Sequence, residues 1–183
     1  MPIDLRTEPR VSFDLQPHLE GELIVLRPLK QDDWDELFAV ASDPLIWEQH
    51  PVQDRHKEDV FKDFFAEALA SGGAFAIIDK ATRQIIGSTR FAFHDPVQSE
   101  IEIGWTFLAR RYWGGRYNGE AKRLMLAHAF KFVQNAAFLI GPDNIRSQKA
   151  VERIGGIRCG MVEKSDRNGT PFHRFKYVIK KPS

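Results

Sequence analysis

Apolar and polar positions along the chain change period several times, and each change predicts an element. Leu23-Ile24-Val25-Leu26-Arg27-Pro28 predicts a short strand stopped by proline. Trp34, Leu37, Phe38 and Ala41 recur at helical spacing, so Gln31 to Ala41 predicts a helix. Pro44 and Pro51 break the loop that follows, which carries Trp47 and His50. Phe61, Phe64, Phe65 and Leu69 form the stripe of a second helix, Glu58 to Ala70, stopped by Gly72-Gly73. Ala74 to Ile78 and Ile85 to His94 read as two strands around a polar turn. From Glu100 to Leu108 the alternation puts Ile101, Ile103, Trp105 and Phe107 on one face and Glu102, Gly104 and Thr106 on the other. Helical period returns from Asn118 to Gln134, with Ala121, Leu124, Met125, His128 and Phe132 on one stripe. Ala136 to Ile140 predicts a short buried strand, and Asn144 to Ile154 a last helix ended by Gly155-Gly156. Ile157 to Glu163 and Phe172 to Ile179 pair as a terminal hairpin around Asn168-Gly169. The order predicts a mixed α/β (α+β) sandwich around a central, mostly antiparallel sheet.

Composition narrows the class. The 183 residues predict one domain, 21–183, with residues 1–20 as an extended N-terminal lead-in. Twenty-six Lys and Arg against 25 Asp and Glu leave a formal charge of +1, which argues against a general nucleic-acid binder. The lone Cys159 excludes an intramolecular disulfide and a Cys-cluster zinc site, and makes a reducing cytoplasm the expected compartment. No apolar run approaches the roughly 20 residues of a membrane span. Met1 to Arg6 lacks the basic head and apolar core of a signal peptide.

The chemistry points to the stretch from Thr106 to Ala121, where a buried strand enters a glycine turn and then a long helix. The first turn of a helix carries N–H groups without intrahelical partners, and its dipole favours an anion. Glycine allows that anion close to the backbone. Strand, glycine turn and helix together make a phosphate or pyrophosphate site, flanked here by Arg110, Arg111 and Arg116. Neither Gly-x-x-x-x-Gly-Lys-Ser/Thr nor Gly-x-Gly-x-x-Gly is present in it.

Ile103-Gly104-Trp105 followed by Tyr112-Trp113-Gly114-Gly115-Arg116-Tyr117-Asn118-Gly119-Glu120-Ala121 resembles the acyl-CoA-binding motif of the GNAT N-acetyltransferases. The branch it resembles more closely holds the ribosomal-protein N-terminal (RimJ/RimL-like) acetyltransferases. Leu26-Arg27-Pro28, Ile86-Gly87 and Asn144-x-x-Ser147 before Gly155 extend the similarity, in order, from about Glu22 to Ile179. The resemblance implies a sheet of about seven strands with about four helices, whose fourth and fifth strands splay apart to admit the cofactor. It implies that main-chain groups of Thr106, Phe107 and Leu108 pair with pantetheine. The turn of Trp113, Gly114, Gly115, Arg116, Tyr117, Asn118 and Gly119 would hold the pyrophosphate, with Asn144 bonding from the far side. The family's second motif glycine falls on Arg116, so either Gly115 serves in a shifted loop or Arg116 needs no positive φ.

The implied activity is transfer of an acetyl group from acetyl-CoA to a primary amine, a protein N-terminus or a small molecule, by direct attack. Such transfer needs a neutral amine, a polarised carbonyl and a leaving thiolate. Glu102 is the first candidate base. Glu100, Asp166, His94 and His173 rank below it, and His128 reads as a core histidine. The tyrosine acid common in the family is replaced by Val151, and Ser147 stands where the ribosomal branch places a serine in that role. Cys159 reads as a small buried thiol. Trp47 and His50 are placed to line an acceptor pocket. The missing tyrosine keeps open a non-catalytic acyl-CoA-binding domain, and the bare anion turn a nucleotide-dependent enzyme. No metal is expected, nor a nucleic-acid or membrane partner, and the chain is either a monomer or a homodimer.

Overall fold

The computed structural model describes residues 12–165 and 169–182. Eight strands form one sheet: β1 (Leu19–Glu20), β2 (Ile24–Pro28), β3 (Ala74–Asp79), β4 (Ile85–Asp95), β5 (Glu100–Leu108), β6 (Asn135–Ile140), β7 (Ile157–Ser165) and β8 (Pro171–Lys180). Their spatial order is β1-β2-β3-β4-β5-β6-β8-β7. Every neighbouring pair is antiparallel except β5 and β6. The strand predicted as the fourth is therefore β5. The additional strand is the two-residue β1, too short for any periodicity to reveal.

Four α-helices cover the sheet: α1 (Trp34–Ala41), α2 (Glu58–Ala70), α3 (Arg116–Ala129) and α4 (Ile145–Arg153). Helix α2 turns Phe61, Phe64, Phe65 and Ala68 into a core with Leu37 and Ala41 of α1 and Phe107 of β5. Ala121, Met125 and Ala129 of α3 and Val151 of α4 close the opposite face over Ile24, Phe75, Phe91, Ile101 and Ile103. Phe13, ahead of β1, stacks on Phe132 at 4.8 Å and joins that second core.

Two of the helix boundaries differ from the sequence reading. Helix α3 stops at Ala129, not Gln134, because Gln134 and Asn135 both donate to the Ser99 carbonyl (3.0 and 2.9 Å) and turn the chain into β6. Strand pairing there overrides an uninterrupted helical pattern. Gln31 to Asp33 form a 3-10 turn ahead of α1, with the Arg27 guanidinium holding the Asp33 carboxylate at 2.7 Å. The expected hairpin places Gly169 at φ +79, while Asp166 and Asn168 lie outside the described residues.

Strand β5 carries the irregularity that matters most. Arg90 pairs with Gly104 and Ser88 with Phe107, so two steps along β4 oppose three along β5. The extra residue is accommodated at Trp105, whose φ is +51, an uncommon conformation for a bulky side chain. Beyond this bulge the faces exchange. Trp105 and Phe107 join the α1/α2 side, and Leu108 stays with Ile101 and Ile103 on the α3 side. Thr106 also turns to the α3 side, where its Oγ1 lies 2.5 Å from Lys122 Nζ. The prediction that Glu102 and Thr106 share a face is thus overturned, because strict alternation fails where a residue is inserted.

Candidate active site

The glycine turn shows how the motif works with Arg116 at its second position. Gly114 and Gly115 take φ of +104 and +117, and Arg116 is the first residue of α3. The left-handed requirement falls on Gly115, so Arg116 keeps ordinary helical geometry. No side chain caps this helix end, which leaves its N–H groups directed outward. A crevice of about 330 Å³ beside it is lined by Glu22, Leu23, Gly115, Arg116, Gly119, Glu120 and Arg123. Glu120, buried, fixes the helix against the sheet. Its carboxylate accepts from the N–H groups of Glu22 (2.9 Å), Leu23 (2.7 Å) and Ile24 (2.9 Å) and pairs with Arg123 at 2.9 Å. Burial would raise its pKa, but these donors outweigh burial and hold it below the usual carboxylate value.

Strands β5 and β6 run parallel only from Glu100 to Glu102, against Asn135 to Ala137. Beyond that point β5 continues to Leu108 and β6 to Ile140 without pairing, so the sheet opens. The Ala109 N–H donates to Ile86 of the β4 side, and the Phe107 carbonyl also faces β4. Main-chain groups alternate along a strand, so those of Thr106 and Leu108 face the opening. The Leu108 carbonyl accepts a 2.9 Å hydrogen bond from the Trp113 indole. Arg146 at the start of α4 stacks on the same indole, 3.9 Å from its centroid. Asn144 caps α4, its Oδ1 accepting from the Ser147 N–H at 3.1 Å, which leaves the amide nitrogen of Asn144 as its free donor group.

On the α1/α2 side of the opening lies Glu102, its side chain 12% exposed, with Lys164 of β7 3.6 Å away. Burial raises its pKa against the opposing charges of Lys164 and Arg174. Arg90 of β4 and Arg55 reach the same side. His50 sits 3.1 Å from Arg55, and burial together with the Arg55 charge lowers its pKa to about 3, so the ring is neutral.

The acetyltransferase (GNAT) domain family matches residues 24–157. The chain belongs to the GNAT acetyltransferase family. N-acetyltransferase p20 of Bacillus licheniformis, itself uncharacterized, is 26% identical over 153 residues, covering 79% of this chain and 84% of its own length. A GCN5-related N-acetyltransferase structure from Brucella melitensis superposes with TM-score 0.76 at 23% identity, over 94% of this chain and 80% of that one. A structure from Vibrio cholerae described as a ribosomal-protein-serine acetyltransferase gives TM-score 0.74 at 16% identity, over 90% and 97%. The suspected branch is thus among the structural neighbours. Acetyl-CoA is the cosubstrate of a GNAT domain, and its acceptors are amines. The residues here fit that cosubstrate: a capless helix end beside two positive-φ glycines suits a diphosphate, and an open strand edge suits the amides of pantetheine.

Other candidates in this GNAT domain stand elsewhere. Trp47 is core, 3% exposed, its indole N–H donating to the Ala41 carbonyl at 2.8 Å; it backs Phe107 and does not line a pocket. Glu100 pairs with Lys176 at 2.7 Å, and exposed His173 lies 3.4 Å from Glu163. His94 packs edge-on against Phe13, on the side away from Glu102. His128 is buried, with Nε2 2.7 Å from the Asp14 carbonyl. Asp166 lies outside the described residues. Cys159 is exposed, a correction to its buried reading, because edge strand β7 is covered on neither face there. Among the described residues no cluster suited to a metal occurs, and no helix is long and apolar enough to cross a membrane.

Two residues escaped the sequence reading. Lys122 is 7% exposed and hydrogen-bonds to hydroxyls, Thr106 at 2.5 Å and Thr89 at 3.5 Å, with the Phe138 ring 5.7 Å away, and burial lowers its pKa to about 7. Arg90 is 5% exposed within a run that reads as an ordinary strand. For Arg90 the signal was a charge within a strand whose neighbours Thr89 and Phe91 are buried; Lys122, beside exposed Arg123, offered none.

Proposed function

We propose that this chain transfers the acetyl group of acetyl-CoA to a primary amine by direct attack within a ternary complex. The observation that carries the reading is the parting of β5 from β6 after Glu102 and Ala137, with the capless end of α3 at the mouth of the opening. Bound acetyl-CoA supplies an activated thioester. The main-chain groups of Thr106 and Leu108 orient its pantetheine arm, and Phe107 anchors that strand by facing β4 and the aromatic core. Trp113, Gly114, Gly115, Arg116, Tyr117, Asn118 and Gly119 hold the diphosphate, and the Asn144 amide bonds from α4. Glu102 takes the proton of the incoming amine, directly or through water, its raised pKa bringing it nearer the operating pH. Ser147, in the first turn of α4, donates a proton toward the leaving sulfur.

Calorimetric titration with CoA, followed by release of free thiol from acetyl-CoA with a panel of amines, tests this. Binding in the micromolar range and amine-dependent thiol release are expected. Absence of CoA binding overturns the assignment. Binding without release for any amine would favour the non-catalytic acyl-CoA-binding reading.

A further inference from the structure

The α1/α2 side of the opening holds an arginine that the acetyl-transfer chemistry does not use. Arg90 is 5% exposed, and its Nε and Nη2 are both buried without a hydrogen-bond partner among the described residues. Those two nitrogens form one edge of the guanidinium, the edge that grips both oxygens of a carboxylate side-on. The guanidinium lies over the Trp105 ring, 4.8 Å from its centroid, and over the Phe64 ring at 5.6 Å. Burial and aromatic walls fix its orientation and leave that edge unmet. A buried, unsatisfied charged donor costs stability unless something supplies the missing acceptor.

Its position relates it to the reaction. Arg90 is paired with Gly104, and Ala92 with Glu102, so Arg90 and Glu102 are diagonal neighbours on one face of the β4–β5 ribbon. Such positions lie roughly 7–8 Å apart. Two more guanidiniums approach. Arg55 stands over Phe64 at 4.6 Å, and Arg174 reaches Gly141. The charges that face this group are Glu67 of α2, Asp54 beside Arg55, Glu102 of β5 and Lys164 of β7, with His50 neutral. Glu67 acts on Arg90 by its charge, yet no acceptor meets the Nε and Nη2 edge.

We propose that the acceptor of this enzyme is an amine that also bears a carboxylate, which Arg90 binds through Nε and Nη2 while the amine faces Glu102. The inference rests on the acetyl-transfer reading and names the acceptor class for that site. A free amino acid and a polypeptide end with an acidic side chain both present this chemistry.

The test compares matched acceptors in the acetyl-CoA thiol-release assay on the full chain. One arm sets free amino acids against their carboxamides. The other sets short peptides with Asp or Glu near the N-terminus against the same peptides with Asn or Gln. At least a tenfold higher kcat/KM is expected for the carboxylate in one arm, and the arm that shows it identifies the source. Arg90→Met should remove that preference through KM while leaving CoA affinity unchanged, and should raise the melting temperature, since it deletes an unpaired buried charge. Arg90→Lys should restore part of the preference. Equal rates for carboxylate and amide acceptors in both arms, or a preference that survives in Arg90→Met, overturns the proposal. If no amine is turned over, calorimetry of the CoA-loaded protein with the same amino acids and peptides decides: no binding, or equal binding by wild type and Arg90→Met, overturns it. Failure to bind CoA strikes the transferase reading instead. Should Arg90→Met fail to fold, Arg90→Gln takes its place, and a carboxylate preference that survives in it overturns the proposal.

Discussion

The Trp113 indole donates a 2.9 Å hydrogen bond to the carbonyl of Leu108, tying the glycine turn back onto the end of β5. One side chain thereby sets the turn that faces a diphosphate relative to the strand edge that faces an amide chain. Arg146 covers the same indole from α4 at 3.9 Å and also reaches the Ile46 carbonyl at 2.8 Å, so the loop after α1 is linked to the turn. Trp113→Phe keeps the ring and removes the donor. CoA affinity by calorimetry should fall by about fivefold, the loss of one hydrogen bond worth about 1 kcal/mol.

Glu120 concentrates three buried main-chain donors on one carboxylate. Glu120→Ala should destabilise the fold by about 3 kcal/mol, measured by urea unfolding, because those N–H groups lose their acceptor. Its folded pKa lies below the unfolded value, so its contribution is present above about pH 4.5 and is lost as pH falls through the folded pKa. The variant should therefore show a shallower acid-side loss of stability than the wild type.

Lys122 gives a slope of the same sign at higher pH, but from a charge that burial disfavours. Its pKa is lowered from 10.5 to about 7, so between those values the unfolded chain binds more protons than the folded one. Stability should rise with pH across that window. Lys122→Met, unbranched and one heavy atom shorter, should flatten the rise and stabilise the protein at pH 6. Denaturant melts at pH 6, 7.5 and 9 check both statements. An unchanged slope in the variant would assign the pH dependence to other groups.

The two proposed proton carriers separate kinetically. Glu102→Gln should lower kcat by roughly 10²-fold. The wild-type rate should fall on acidification at a pH above the ordinary carboxylate value, and the variant should lack that limb. Ser147→Ala should lower kcat with little change in the KM for acetyl-CoA. Unchanged turnover would clear Ser147 of the role and leave it as the N–H that Asn144 caps.

Much of the architecture was legible in the residue pattern. The stripe Phe61, Phe64, Phe65 located α2 to the residue, and the alternation from Glu100 located β5. The strand-to-helix glycine turn points to an anion by its physics alone, independently of any family. What escaped has a common cause: it depends on partners distant in sequence. Helix α3 does not run on to Gln134 because Ser99 claims the N–H groups of Gln134 and Asn135, and Arg90 is buried because Trp105 and Phe64 enclose it. Trp47 sits in a loop bounded by prolines, yet its indole is drawn into the core by the Ala41 carbonyl. The departure at Arg116 was open to two readings, and only the dihedral of Gly115 distinguishes them.

The surplus residue at Trp105 makes the parity of a single strand the divider between two chemistries. Upstream of it, even-numbered side chains look toward the arginines. Downstream, even-numbered side chains look toward Lys122 instead. Removing that one amino acid would restore strict alternation and leave Thr106, Phe107 and Leu108 on the faces they now occupy, while taking away the indole that stands against Arg90. The inserted residue thus does two things at once: it shifts the count along the strand, and its own side chain becomes a wall beside Arg90.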